Sequence, residues 1–204
     1  MRGLILKDLI NLKSTAKFVF ALTAFFAVFI IATGEMGSYS GMIMIFGAML
    51  PITALSLDER AKWDRYALTM PVKRSTVVIA KYLLGLILLA MALVIDILLS
   101  LLARVPLNME FLMEMGALLL IGCVFLSITM PLMLWLGAEK GRIAMILMTA
   151  LIAGGSFALY GAGIASLQDV SFEQALFYAP LAVAALFVLS MLISIAIYRK
   201  KEFS

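Results

Sequence analysis

The chain has 204 residues, of which 65% are hydrophobic and only 14% are charged. A soluble domain of this length is closer to half apolar because its surface must be hydrated, so the composition excludes an ordinary soluble protein. The net charge is +4, with no histidine and one cysteine, which excludes an internal disulfide and removes the commonest metal ligand. We therefore predict a membrane protein without a metal site.

The first segment, residues 1–17, precedes the first long apolar stretch. Its apolar residues Ile5, Leu9, Leu12 and Ala16 recur at spacings of four and three, which places them on one face of a helix. This pattern is typical of a helix that lies in the membrane interface. A cytoplasmic extension of the first membrane span is the alternative interpretation.

Six long stretches with almost no charge follow along the chain. About 20 apolar residues in a helix cross a hydrocarbon core of ~30 Å, and a lone strand would leave its backbone unpaired in lipid. The sequence therefore predicts one all-α membrane domain over residues 1–204 with six transmembrane helices. The predicted spans are 18–34, 36–57, 82–103, 115–138, 143–168 and 174–198.

Basic residues are distributed unevenly between the two sides of these spans. With the N-terminus inside, 15 of the 16 lysines and arginines lie on the cytoplasmic side, and Arg104 is the exception. The positive-inside rule then places both termini in the cytoplasm, in a multi-pass protein of the inner (cytoplasmic) membrane. The basic surface suits anionic lipid head groups, and nothing supports binding of nucleic acid.

The longest cytoplasmic connection covers residues 58–74. Trp63, Tyr66, Ala67 and Met70 recur at i, i+3, i+4 and i+7, which predicts a short amphipathic helix. Acidic residues precede this helix, where its dipole favours negative charge, and a proline ends it. An apolar stripe of this kind either lies on lipid or enters the groove of a soluble partner, and both interpretations stay open.

The run from Asp58 to Tyr82, with Thr-Met-Pro-Val at 69–72, resembles the permeases of type-2 ATP-binding-cassette (ABC) transporters. The opening from Gly3 to Leu9 is also similar, and the resemblance covers essentially the whole chain. It is greatest to the small permease subunits of phenol-soluble-modulin-type peptide exporters. The resemblance implies that the loop helix is a coupling helix seated in a separate ATPase subunit. The docking residues that it implies are Glu59, Trp63, Tyr66, Ala67, Met70 and Pro71.

The resemblance also implies a division of labour between chains. This chain has no G-x-x-x-x-G-K-[ST] motif, so we expect no enzyme activity and no cofactor in it. Two ATPase subunits are expected to bind ATP and Mg²⁺, and a second permease chain, identical or homologous, to complete the path. The expected function is export of a hydrophobic or amphipathic substrate, in particular a peptide. The alternatives are the substrate-binding membrane subunit of a vitamin or metal importer, and a stand-alone channel or secondary carrier.

Asp96 is the only ionisable residue well inside a predicted span. Counting from Tyr82 places it roughly 21 Å from the inner face at 1.5 Å per residue. An isolated charge there costs at least a few kcal/mol, which makes Asp96 a candidate for the translocation path. The alternative is a carboxyl that is protonated, or that reaches water or a basic group near the outer leaflet.

Small residues recur every four positions in the predicted fifth span. Such a ridge lets the backbone of another helix approach closely. It forms either a packing seam within the chain or a contact between two permeases. The residues of this seam are Ala150, Gly154, Ala158 and Ala162.

Overall fold

The computed structural model describes residues 2–33, 37–69, 73–106, 108–144, 146–147 and 172–200. Within these ranges the chain contains helices and no strands, which confirms the all-α class. Residues 138–144 are helical as well. The main helices are α1 (Arg2–Asn11), α2 (Lys13–Thr33), α3 (Gly37–Arg60), α4 (Trp63–Thr69), α5 (Arg74–Leu102), α6 (Met109–Leu136) and α7 (Phe172–Lys200).

Five of the described helices, α2, α3, α5, α6 and α7, are long and apolar enough to cross a membrane. They agree with a multi-pass membrane protein. The predicted fifth span, 143–168, lies almost entirely outside the described residues, and so does the seam predicted at Ala150, Gly154, Ala158 and Ala162. Six spans, and the placement of both termini in the cytoplasm, therefore stay predictions.

The N-terminal segment differs from the single helix predicted over residues 1–17. α1 ends at Asn11 and α2 begins at Lys13, so residues 13–17 belong to the helix that forms the first span. Leu12 lies between the two helices, is 2% exposed and packs with Ala54, Leu84 and Leu88. Burial of this side chain fixes the junction against α3 and α5.

The connection between the second and third predicted spans is also shorter than predicted. Residues 58–60 continue α3, and α5 already begins at Arg74, so only Trp63–Thr69 form the intervening helix α4. Lys62 has a φ of 50°, a left-handed conformation that breaks the helix between α3 and α4. Its N–H donates to the carbonyl of Glu59 at 3.0 Å, so the turn is closed by a backbone hydrogen bond.

The core lies where α3, α5 and α6 meet, and α7 packs against α5 and α6. Two glycines allow α5 and α6 to approach closely. A Cβ on Gly85 would lie 2.9 Å from a Leu126 methyl, and one on Gly122 would lie 2.8 Å from a Leu89 methyl. Each helix thus inserts a leucine into a glycine notch of the other, a packing that membrane helices use in place of hydrophobic burial from water.

Three buried hydroxyl groups join α7 to α5 and α6. They belong to Tyr82, Ser190 and Ser194, and we call them the hydroxyl cluster. Ser190 Oγ donates to the carbonyl of Ser127 at 2.5 Å, so the Tyr82 hydroxyl donates to Ser190 at 2.7 Å. The Ser194 hydroxyl then donates to Tyr82 at 2.8 Å. Every hydroxyl in this buried cluster has a partner, which avoids the penalty of an unpaired polar group.

Candidate functional site

One end of the bundle, which we call the basal end, gathers α1, α4, the last turns of α3, α6 and α7, and the first turns of α5. Arg74 Nη1 donates to the carbonyl of Arg199 at 2.7 Å and ties the start of α5 to the end of α7. The Glu59 carboxylate accepts a hydrogen bond from the backbone N–H of Ala138, directly after α6. These contacts hold the ends of four long helices together next to α4.

The turn that Glu59 reaches requires a glycine. Gly137 has a φ of 83°, and a Cβ at this position would lie 2.7 Å from Glu59 Oε1. Glu59 was among the predicted docking residues. The structure shows that its carboxylate already binds a turn of its own chain.

Four charged residues from α1, α3 and α5 form a charge cluster: Lys7, Asp8, Asp58 and Lys81. Lys81 Nζ lies 2.7 Å from Asp8 Oδ2 and 2.5 Å from Asp58 Oδ2. Lys7 Nζ lies 2.6 Å from Asp58 Oδ1. It is also 2.9 Å from Asp8 Oδ1, an ion pair that lacks the geometry of a hydrogen bond. Each carboxylate therefore lies between both ammonium groups.

The charge cluster is neutral as a whole and largely inaccessible to solvent. The side chains of Asp8, Asp58 and Lys81 are 2%, 5% and 6% exposed, whereas that of Lys7 is 20% exposed. Removing charges from water costs several kcal/mol per ion, and this cost is offset only when partners surround each charge. The alternating arrangement meets that condition and fixes α1 against the bases of α3 and α5.

The charge cluster was not predicted from the sequence. Lys7 and Lys81 were counted among the basic residues of the cytoplasmic side, and Asp58 was placed before the loop helix. One signal was present in the sequence: Lys81 directly follows the apolar run of residues 77–80, and a lysine inside an apolar run needs an acidic partner. The pairing itself joins residues 73 and 23 positions apart and follows only from the packing of the helices.

Helix α4 lies beside this cluster. Lys7 Nζ stands 4.2 Å from the centre of the Trp63 ring, a cation–π contact. Tyr66 is 62% exposed, whereas Ala67 is 4% exposed. The predicted apolar stripe is thus divided, with Ala67 packed inward and Tyr66 pointing outward. Met70 and Pro71 lie outside the described residues.

A helix suspended between two spans, with one aromatic side chain outward, is an arrangement suited to contact with a second protein. Residues 3–199 match the family described as ABC-2 family transporter protein. The chain belongs to this ABC-2 transporter family. Membership makes it a membrane permease of an ABC transporter, a transport subunit without catalysis of its own, and implies an ABC ATPase as partner. The type-2 permease resemblance is confirmed. A search of curated proteins finds no match.

Asp96 lies deep in the permease, on α5. It is 0% exposed, and neither carboxyl oxygen has a hydrogen-bond partner among the described residues. The Ser40 hydroxyl of α3 is close enough to interact with it but lacks the geometry of a hydrogen bond, and is itself fully buried. The carboxyl is therefore buried, while its role in a translocation path stays a prediction.

An apolar cavity of about 220 Å³ lies between α1, α2, α3 and α5 of the permease. Leu9 and Leu12 line it at the basal end, and Ala92 and Ile95 line it further along α5. The hydroxyl of its polar lining residue Thr23 donates to the carbonyl of Val19. The wall thus offers apolar surface to whatever occupies it.

Proposed function

We propose that this permease exports a hydrophobic or amphipathic substrate, in particular a peptide, from the cytoplasm across the cell membrane. ATP hydrolysis takes place in two separate ATPase subunits, each docked on the α4 of one permease chain. The observation that carries this proposal is the placement of α4: it projects between two spans at the basal end, with Tyr66 62% exposed.

The orientation needed for docking is supported by charge. Positions of the basal end hold most of the basic residues, including Lys62, Arg74, Lys140 and Arg199, whereas Glu110 lies at the start of α6 at the opposite end. The positive-inside rule therefore supports a cytoplasmic basal end. Cysteines at Lys62 and Lys140 are expected to resist an impermeant reagent added outside cells, and one at Glu110 is expected to react.

The proposed mechanism transmits movement through the base of the bundle. Closure of two ATPase subunits on nucleotide displaces both α4 helices. Each α4 is joined to α3 by a two-residue turn, and Ala67 anchors it inward. Displacement of α4 is therefore passed to α3, and the path between two permease chains changes from inward-open to outward-open.

The apolar cavity supports the proposed class of substrate. Its wall of leucine, isoleucine, valine and phenylalanine side chains favours apolar ligands, because burial of apolar surface is the main attraction it offers. It offers no charged side chain among its lining residues. The family match favours neither the vitamin or metal importer nor the stand-alone channel.

The test of docking is Tyr66→Ala. Tyr66 makes a better probe than Trp63, because Trp63 also contacts Lys7. Truncating an aromatic anchor in a protein interface costs about 2 kcal/mol or more, which corresponds to a loss of affinity of roughly thirtyfold. We expect this loss in co-purification and in titration of the ATPase subunit onto permease in nanodiscs.

The matched control is Tyr178→Ala, which removes a similarly exposed tyrosine (65%) from α7 at the end far from Arg199. It is expected to leave the affinity for the ATPase subunit unchanged. Unchanged affinity and unchanged substrate-stimulated ATP turnover in Tyr66→Ala would contradict docking on α4. Altered response to anionic lipid with intact ATPase binding would instead assign α4 to the membrane surface.

A further inference from the structure

The charge cluster has one member that differs from the other three. Asp8, Asp58 and Lys81 are almost fully enclosed, but the Lys7 side chain retains 20% exposure. The same ammonium group that lies 2.6 Å from Asp58 also stands 4.2 Å from the centre of the Trp63 ring. Lys7 is therefore shared between the buried cluster and the first residue of α4.

This sharing places α4 under two constraints at its N-terminal end. Only Ala61 and Lys62 separate α4 from α3, and Trp63 rests on a cation held in place by carboxylates of α1 and α3. Rotation of α4 about the turn would move the Trp63 ring away from Lys7. An ammonium group that ion pairs already hold in place loses little conformational entropy when it makes a cation–π contact. A contact with this fixed group therefore restrains α4 more than a contact with a mobile lysine would.

We propose that Lys7 is a positioning residue for α4. Through the charge cluster, Lys7 connects α4 with α1, α3 and α5, and α4 is the helix on which the ATPase subunit is proposed to dock. The consequence for transport rests on the proposed function, whereas the positioning itself is a property of the permease alone. A force on α4 then reaches α1 and α5 through ion pairs, in addition to reaching α3 through the peptide chain.

The positioning is tested on the permease in nanodiscs without any ATPase subunit. Spin labels are placed on exposed positions of α4 and α1, at Tyr66 and Asn11, with Cys123→Ser as background. Pulsed electron paramagnetic resonance then gives the distribution of distances between α4 and α1. The parent is expected to show a single narrow distribution.

Two variants remove the contact from opposite sides. Trp63→Leu deletes the ring and leaves all four ion pairs. Lys7→Gln deletes the cation together with its ion pairs to Asp8 and Asp58, but keeps a donor for Asp58. Each is expected to raise the population of displaced α4 by about fivefold, the effect of a contact of this class on an equilibrium. Lys7→Arg retains the cation and is expected to restore the narrow distribution.

The double variant Lys7→Gln with Trp63→Leu distinguishes positioning from general damage. If Lys7 and Trp63 act through their contact with each other, the distance distribution of the double variant is no broader than that of either single variant. A distribution in Trp63→Leu as narrow as in the parent would overturn the proposal, and so would additive broadening in the double variant. If Lys7→Gln fails to fold, the distance distributions of Trp63→Leu and Lys7→Arg still test whether Lys7 positions α4.

The consequence for transport is measured separately, in proteoliposomes that contain the ATPase subunits. Lys7→Gln is expected to lower the amount of a fluorescently labelled amphipathic peptide moved per ATP hydrolysed, by the fraction of α4 that the distance measurement shows to be displaced. If Lys7→Gln broadens the distance distribution but leaves the transport per ATP unchanged, Lys7 sets only the resting position of α4. That result would overturn the proposed part of Lys7 in coupling. If neither the parent nor any variant binds the ATPase subunit, docking on α4 is refuted. The distance measurement, which uses the permease alone, still tests the positioning of α4 by Lys7.

Discussion

The permease buries carboxylates in two opposite ways. At the basal end, Asp8 and Asp58 lie between two ammonium groups, with ion pairs from 2.5 to 2.9 Å. Toward the opposite end of α5, Asp96 is equally buried and has no hydrogen-bond partner among the described residues. The first arrangement is compensated locally, and the second is not.

This difference separates residues that hold the bundle together from one that does not. Each member of the charge cluster depends on the others, because removal of one leaves a buried charge without its partner. Within the described residues, no contact of the bundle depends on the charge of Asp96. Substitutions that delete charge should therefore have very different costs at the two places.

The largest effect is expected from Lys81→Met at the charge cluster. Methionine has a similar length, but its loss of charge leaves two carboxylates around Lys7 alone. Breaking a buried ion pair in this way costs about 3–5 kcal/mol. Thermal unfolding in detergent, followed by circular dichroism, measures this loss.

Lys140→Met is the matched control for Lys81→Met, because Lys140 is exposed after α6. It is expected to leave the unfolding midpoint unchanged, since exposed charges contribute little. An equal midpoint for Lys81→Met and the parent would show that the charge cluster adds nothing to stability and would remove the contrast with Asp96.

An intermediate effect is expected from Tyr82→Phe in the hydroxyl cluster, where the buried groups are polar but neutral. The change removes hydrogen bonds to Ser190 and Ser194, while the bond from Ser190 to Ser127 remains. A net loss of about 2 kcal/mol follows from the usual contribution of about 1 kcal/mol for each of the two hydrogen bonds. Ser190→Ala with Tyr82→Phe is expected to be less than additive, and full additivity in the unfolding measurement would contradict a connected cluster.

The smallest effect on stability is expected from Asp96→Asn. Asparagine keeps the shape and removes the ionisable group, so the free energy of unfolding is expected to change by less than about 1 kcal/mol. Asp96→Leu is expected to be tolerated less well, because Ser40 then faces a branched apolar side chain. Asp8→Asn is the matched comparison at the charge cluster. A loss in Asp96→Asn as large as in Asp8→Asn would show that Asp96 also has a charged partner.

Much of the fold follows from hydropathy, because a lipid environment requires apolar helices wherever the chain crosses it. The all-α class was predicted in this way, whereas the short helix between the second and third predicted spans was predicted from the spacing of its apolar residues. Helix ends were predicted less well. Uncharged stretches were taken as spans, but α5 starts at Arg74 and carries Lys81 inside the bundle, and α3 continues through Asp58.

The candidate site was predicted in composition but not in arrangement. Spacing identified Trp63, Tyr66 and Ala67 as one stripe, whereas a helix of seven residues presents Ala67 inward and Tyr66 outward. Local sequence contains no information about the side of α4 that the other helices cover. The partners of Glu59 and Lys7 depend on helices 79 and 51 positions away in the chain, which no local pattern encodes.

Residues Lys81 and Tyr82 are neighbours on α5, but they connect it to different parts of the chain. Lys81 pairs with Asp8 and Asp58, which are synthesised earlier, and Tyr82 pairs with Ser190 and Ser194, which are synthesised last. Both aspartates are therefore part of the nascent chain before Lys81 is added to it, and both serines are added after Tyr82. The ion pairs with Lys81 can form only once α5 has been made, and the hydroxyl cluster can form only once α7 has been made. The adjacent positions of Lys81 and Tyr82 thus make α5 the helix that both sets of contacts require.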